Sequence, residues 1–231
     1  MKTVNRRAIG ENVNEYAYRL VKDAIMSLQL HPGQSISEVE LAASLQISRT
    51  PIRRVMTKLK EENLVEVYPQ IGTYVSKINF QLTEEAAFMR YTLEKEILKM
   101  SCQSFSQKRL EALVENLAEQ EKLIGQNDKV HKFHELDQQF HCLIFEENKM
   151  EHVWKSISRL STHYNRIRVL SEMNHGFEDA IEQHKEIIKL IESKNINQVN
   201  QILYQHIIEP KKYWNHFWED RTTYYNYFEK K

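Results

Sequence analysis

Ser37-Glu38-Val39-Glu40-Leu41-Ala42, followed at once by the segment Ile47-Ser48-Arg49-Thr50-Pro51-Ile52-Arg53, is the stretch that decides the fold. Ser37 and Glu40 have the spacing of a capping box, in which the hydroxyl accepts from the Glu40 amide and the Glu40 carboxylate reaches back. That signal opens a short helix bearing Leu41, Ala42 and Leu45. Ser48 is a second N-cap, and Pro51 is acceptable just after it because first-turn amides lack intrahelical acceptors. The second helix turns Ile52, Val55, Met56 and Leu59 inward. Two short helices joined by a tight turn, the second one basic, make a helix-turn-helix pattern.

The flanks complete the unit. Upstream, a helix is expected from about Asn12 to Leu30, with Tyr16, Leu20, Ile25 and Leu28 as its apolar stripe and His31-Pro32-Gly33 as its stop. Downstream, Leu64 to Tyr68 reads as a strand, Pro69-Gln70-Ile71-Gly72 as a turn and Thr73-Tyr74-Val75 as a second strand, a β-hairpin wing. The chain of 231 residues carries 32 basic and 32 acidic side chains, yet residues 1–78 hold 11 Lys/Arg against 8 Asp/Glu. Ser44 to Lys60 contains Arg49, Arg53, Arg54, Lys58 and Lys60 and no acid. A recognition helix enters the major groove by its N-terminal residues, here Ser48, Arg49, Thr50 and Arg53. Arginine can hold guanine O6 and N7 in a two-pronged fork, whereas Arg54 and Lys58, further along, suit the phosphate backbone.

In order and spacing, residues 12–78 resemble the GntR family of bacterial regulators, through the segments just quoted together with Leu64-Val65 and Gly72-Thr73-Tyr74-Val75. The resemblance implies DNA contacts at Ser48, Arg49, Thr50 and Arg53, and at the wing tip through Gln70 and Gly72. Two departures stand out. Members often carry a basic residue near the position of Ile71, and Arg54 stands where many have Glu. One recognition helix reads only a few base pairs, so a homodimer on a pseudo-palindromic operator in double-stranded DNA is expected.

From Thr83 the texture is helical only. Thr83 with Glu84 and Glu85 is an N-terminal signal, and helices are expected near 83–103, 107–124, 128–147, 150–172, 178–193 and 196–218. Lys77–Leu82 is the expected linker. The fold class is therefore mainly α: a winged helix-turn-helix domain over 1–78 and an all-helical bundle over 79–231. The tail bearing Tyr224, Tyr225, Tyr227 and Phe228 has no readable function. Five Gly and four Pro argue against a β-rich fold. No apolar run approaches the roughly 20 residues of a membrane span, and MKTVNRRAIG has no apolar signal core, so a cytoplasmic protein is expected. Cys102 and Cys142 match no metal or redox spacing and are expected to be reduced and buried.

In the helical half Asp137 and His141 stand four apart on one helical face. Gln183-His184-Lys185-Glu186-Ile187-Ile188 and His206-Ile207-Ile208 follow on later helices. One carboxylate and three imidazoles from three helices can enclose a divalent transition metal in a bundle. On spacing alone they are equally polar core residues with satisfied hydrogen bonds, and His134, seven before His141, is a rival ligand. The D-x-x-x-H helix and the two later histidines resemble the FCD-type ligand domain of the same family, over about 83–218. The resemblance implies Asp137, His141, His184 and His206 as metal ligands, and it points to the branch that senses small acids rather than fatty-acyl-CoA. Arg90, with Leu93 and Glu94, matches the family's Arg-x-x-Leu-Glu segment. Arg90 can meet an effector carboxylate or simply pair with Glu94 on a helix surface. The ion expected is Zn²⁺, with Ni²⁺ or Mn²⁺ as alternatives. The whole reads as a transcription regulator, a repressor, whose operator binding responds to a small organic or sugar acid at or near a metal. A sensor of the metal itself is the alternative. A metal-dependent enzyme is a further one, disfavoured because no general base accompanies the cluster and the basic helix would have no role.

Overall fold

The computed structural model describes residues 7–218 and 223–230; residues 1–6, 219–222 and 231, among them Glu219 at the head of the tail, lie outside it. The chain divides into two units, one drawn from Met1–Phe80 with Trp218–Lys231 and the other from Gln81–Phe217.

In the first unit, α1 (Val13–Met26) opens on a full capping box between Asn12 and Glu15. It stops four residues short of the expected end. Leu28 turns into the left-handed region (φ 57°), and the Leu30 amide folds back onto the Ala24 carbonyl at 2.9 Å, ending the helix before Pro32 is reached. The next elements are β1 (Ser35–Ile36), α2 (Glu38–Ser44), α3 (Arg49–Glu61), β2 (Val65–Tyr68) and β3 (Gly72–Val75). The strands form an antiparallel sheet in the order β1-β3-β2, with Ser35 opposite Tyr74 and Val65 opposite Val75. Strand β1 is an element the sequence pattern does not announce, since two residues are too few to show an alternation. At the wing tip Gln70 takes the left-handed conformation (φ 62°) and Gly72 follows at φ 153°, a backbone that favours glycine.

The expected inward set of α3, namely Ile52, Val55, Met56 and Leu59, is buried with Leu20, Val21 and Ile25 of α1, Leu41 of α2 and Leu64 and Val75 of the sheet. Burying each such side chain contributes roughly 1.5–3 kcal/mol, so this small unit fixes the orientation of α3 through its apolar face. Of the expected capping box at α2, only one half forms: Ser37 accepts from the Glu40 amide at 3.2 Å.

The aromatic tail corrects the expected boundary. Assigned from sequence to the second domain, it groups with the first unit instead. Ile78 and Phe228 form a parallel bridge, with the Ile78 amide donating to the Tyr227 carbonyl at 2.8 Å and the Glu229 amide donating to the Ile78 carbonyl at 3.1 Å. Tyr227 stacks on His31, and both Phe228 and Ile78 are buried. The closely spaced aromatics form a 3-10 turn, Tyr225–Tyr227, that hands Phe228 in extended conformation to Ile78.

The second unit holds α4 (Phe80–Gln103), α5 (Gln107–Glu121), α6 (Val130–Glu147), α7 (Glu151–Leu160), α8 (Thr162–His175), α9 (Glu178–Ser193) and α10 (Val199–Leu203). Thr83 is not the cap of α4; the helix begins at Phe80 and buries Thr83 completely, which shortens the linker. The single helix expected over 150–172 is two, meeting at Ser161. The last expected helix, 196–218, is also broken. α10 passes into a π-helical turn, Tyr204–Ile208, and then 3-10 turns over Glu209–Tyr213 and Asn215–Trp218. Pro210 accounts for part of this, because it has no amide to continue an α-helical ladder. Cys102 is buried and Cys142 half-buried, both free thiols.

Candidate DNA interface and candidate metal centre

Ser48 holds the N-cap position of α3 with an extended backbone, but its hydroxyl makes no cap bond. It stands exposed beside Arg49 and Thr50, leaving the hydroxyl available to a phosphate. Arg53 and Arg54 are exposed one turn further on. Arg53 Nε donates to Glu38 Oε2 at 3.3 Å, a surface pair with Arg53 66% exposed. Such pairs contribute about 0–1 kcal/mol, so DNA can displace this one readily. Lys58 departs from the rest: its ammonium lies 3.6 Å from the centre of the Tyr18 ring, on the side where Tyr18 and Lys22 hold Glu62. At the wing tip Gln70 is exposed, Gly72 half-exposed and Ile71 74% exposed.

In the second unit, α6 supplies Asp137 and His141, α9 supplies His184 and the π-helical turn supplies His206. All four are buried, and one ligand atom from each lies within 4.8 Å of the others. Asp137 Oδ1 is 3.5 Å from His184 Nε2 and 3.8 Å from His141 Nε2, and His141 Nε2 is 3.1 Å from His206 Nε2. Each imidazole is anchored by its other nitrogen. His184 Nδ1 donates to Gln120 Oε1 at 2.7 Å, His206 Nδ1 donates to Gln183 Oε1 at 2.9 Å, and His141 Nδ1 lies 2.8 Å from Glu94 Oε2. Carboxamide oxygens accept here, so in His184 and His206 the proton sits on Nδ1 and Nε2 is left bare toward the centre, to which His141 also turns its Nε2. Bare nitrogens converging beside a carboxylate are what a cation requires, and such outer partners orient metal-ligating histidines. These residues fit a divalent ion. His134 does not join them; its Nε2 lies 2.9 Å from Glu172 Oε2.

Arg90 and Glu94 pair as expected, Nε to Oε1 at 2.7 Å, but not on a surface: they are 1% and 3% exposed. The Arg90 guanidinium packs over Tyr164 and Trp154, and its two Nη atoms have no hydrogen-bond partner among the described residues. Arg168 lies on α8, whose residues 162–172 are all buried, and grips Asp137 through both carboxylate oxygens at 3.0 Å. Nothing in the sequence singled out Arg168, Gln120 or Gln183. A helix buried all round shows no amphipathic stripe, and Gln183 stood out only as the neighbour of His184.

The charges follow from this geometry. Burial pushes His184 down to about 3, against the pull of Asp137, and also holds His206 well below its usual range. Burial raises Asp137, but the Arg168 guanidinium outweighs it and keeps the carboxyl well below its usual range. Glu94 is held at about 2, where Arg90 and His141 overcome its burial. His184 takes no proton in the folded chain until about pH 3, whereas the unfolded chain takes one near 6.5. Its stabilisation is thus complete above 6.5 and lost as pH falls toward 3, by about 1.4 kcal/mol per pH unit. Urea melts of chelator-treated protein at pH 7.5, 6.0 and 5.0 are expected to show falling stability; equal midpoints would contradict it. A second expectation concerns the anchor. Gln120→Ala frees the His184 ring and is expected to weaken Zn²⁺ binding by roughly 10–100-fold in a competition titration, with the fold intact; unchanged affinity would contradict it.

The comparisons with known proteins agree with both halves. The model of the bacterial regulatory proteins of the gntR family matches residues 14–75, and the FCD domain model matches 85–209. The chain belongs to the GntR family, with an FCD domain, and is a DNA-binding transcription regulator. It is similar to the HTH-type transcriptional repressor RspR of Escherichia coli K12, 27% identical over 85% of this chain and 86% of that one. It is 30% identical to an HTH-type transcriptional regulator in an unstable DNA locus of Streptomyces ambofaciens, over 75% of this chain and 73% of the relative. Among solved structures, E. coli McbR/YncC superposes with a TM-score of 0.77 at 16% identity, covering 90% of this chain and 99% of that one, a likeness of fold. Both sequence relatives are named as HTH-type transcriptional regulators. No helix among the described residues is long and apolar enough to cross a membrane.

Proposed function

We propose that the protein is a cytoplasmic homodimeric repressor whose grip on its operator is set by a small organic or sugar acid bound at a divalent metal in the helical unit. The observation that carries the reading is the convergence of three anchored imidazole Nε2 atoms and the Asp137 carboxylate in a buried centre. Three nitrogens and one oxygen suit a borderline ion, Zn²⁺ in the first place and Ni²⁺ or Mn²⁺ otherwise. The metal supplies a positive Lewis-acid centre that attracts an anion. Arg90, with two unengaged Nη atoms in a buried setting, is suited to the far end of a carboxylate ligand. On the DNA side, Ser48, Arg49, Thr50 and Arg53 read the operator, with Arg54, Lys58, Gln70 and Gly72 in support. The name of RspR, a repressor, favours repression here.

The test is operator binding by fluorescence anisotropy, with metal-loaded protein, chelator-stripped protein and metal-loaded protein plus a panel of small carboxylates. A shift on adding an acid to loaded protein supports the proposal. A shift produced by the chelator alone makes the ion itself the signal. Binding indifferent to all of these contradicts both.

A further inference from the structure

Arg168 is a fixed cation placed on the one carboxylate of the candidate metal centre. Its Nη1 donates to Asp137 Oδ2 and its Nη2 to Asp137 Oδ1, each at 3.0 Å, and Nη2 also reaches Glu172 Oε1 at 3.1 Å. Asp137 is fully buried, so this charge-assisted fork is not diluted by water. Oδ1, the oxygen nearest the histidine nitrogens, is thus one of the two that Arg168 holds. An ion bound among these side chains would share that oxygen with a guanidinium. Arg168, though buried, borders a cavity. Together with His206, Gln183 and Gln205 it lines this cavity of about 520 Å³, bounded by α8, α9, the π-helical turn and the 3-10 turn Glu209–Tyr213. The lining also carries Glu172, Glu178, Asp179, Glu209 and Lys212, and a carboxylate entering there would meet Arg168 and His206 among them.

Resting on the metal reading above, we propose that Arg168 competes with the metal for Asp137 and hands the carboxylate over when an anionic ligand takes its fork. Without an anion, the guanidinium neutralises Asp137 and lowers the affinity for a dication. With a small carboxylate in the cavity, the two Nη donors gain an equivalent partner and Asp137 turns its full charge to the ion. Metal and acid then bind cooperatively, each raising the affinity for the other by the same factor. Arg90 does not have this role, since its pairing is with Glu94 rather than with a candidate ligand.

The experiment is a Zn²⁺ titration of the full chain against a fluorescent chelator, in chloride and in acetate at equal ionic strength. R168M removes the fork and the charge. It is expected to bind Zn²⁺ about tenfold or more tightly than the wild type in chloride, on the scale of a charged hydrogen bond, and to ignore acetate. The wild type is expected to tighten in acetate. E172Q removes the negative charge that shares Arg168 with Asp137 and is expected to weaken Zn²⁺ binding; it serves as the second readout if R168M unfolds. Equal or weaker binding by R168M would overturn the proposal, because Arg168 would then merely orient Asp137. Tighter binding by R168M with a wild type indifferent to acetate would overturn the hand-over. Absence of Zn²⁺ uptake by every variant would instead overturn the metal reading beneath it.

Discussion

Arg49→Ala and Arg53→Ala are each expected to abolish specific operator binding while leaving the protein folded. Both side chains are exposed near the N-terminus of α3, and the buried set that fixes the helix lies on its other face. A bidentate arginine–guanine contact is worth about 1–3 kcal/mol, and a dimer loses it at both half-sites, so the loss is about 2–6 kcal/mol, or roughly 30-fold to more than 10⁴-fold. Non-specific binding should persist, since it depends on phosphate neutralisation. Gel-shift titrations with operator and scrambled duplexes separate the two. Normal operator affinity in Arg49→Ala would mean that α3 is not the reading helix.

The second large effect is expected at the candidate metal centre. His184→Ala and His206→Ala should each lower metal affinity by more than ~100-fold, because loss of even an outer partner costs about 10–100-fold. A ligand present at about a thousand times its dissociation constant stabilises a fold by ~4 kcal/mol. Excess Zn²⁺ should therefore raise the melting temperature of the wild type clearly and that of either variant hardly at all. The first unit has its own core and should stay folded in both variants. A full zinc-induced shift in either variant would contradict the ligand assignment.

Much of this was legible in the sequence, for physical reasons. The helix-turn-helix and wing declare themselves through caps, turn residues and short amphipathic periods, all local signals, and α3 buries the four residues its period names. The buried cluster of Asp137, His141, His184 and His206 was legible as a candidate through residue type and the four-residue spacing of Asp137 and His141, with the family resemblance joining His184 and His206. What stayed hidden depends on distant contacts. Arg168 reaches Asp137 across 31 residues and Gln120 reaches His184 across 64, on helices whose sequences carry no sign of the pairing. Arg90 and Glu94 have the spacing of a surface ion pair, and only the bundle around them makes them buried. The tail was misplaced for a related reason: its bridge to Ile78 is a pairing 150 residues long.

Native mass spectrometry of the wild type and of the double variant His184→Ala/His206→Ala, both purified with Zn²⁺ present, tests the central claim most directly. One divalent ion per chain in the wild type and none in the double variant is the predicted result. A metal-free wild type, or an ion retained by the double variant and held by His134 and its neighbours, would contradict it.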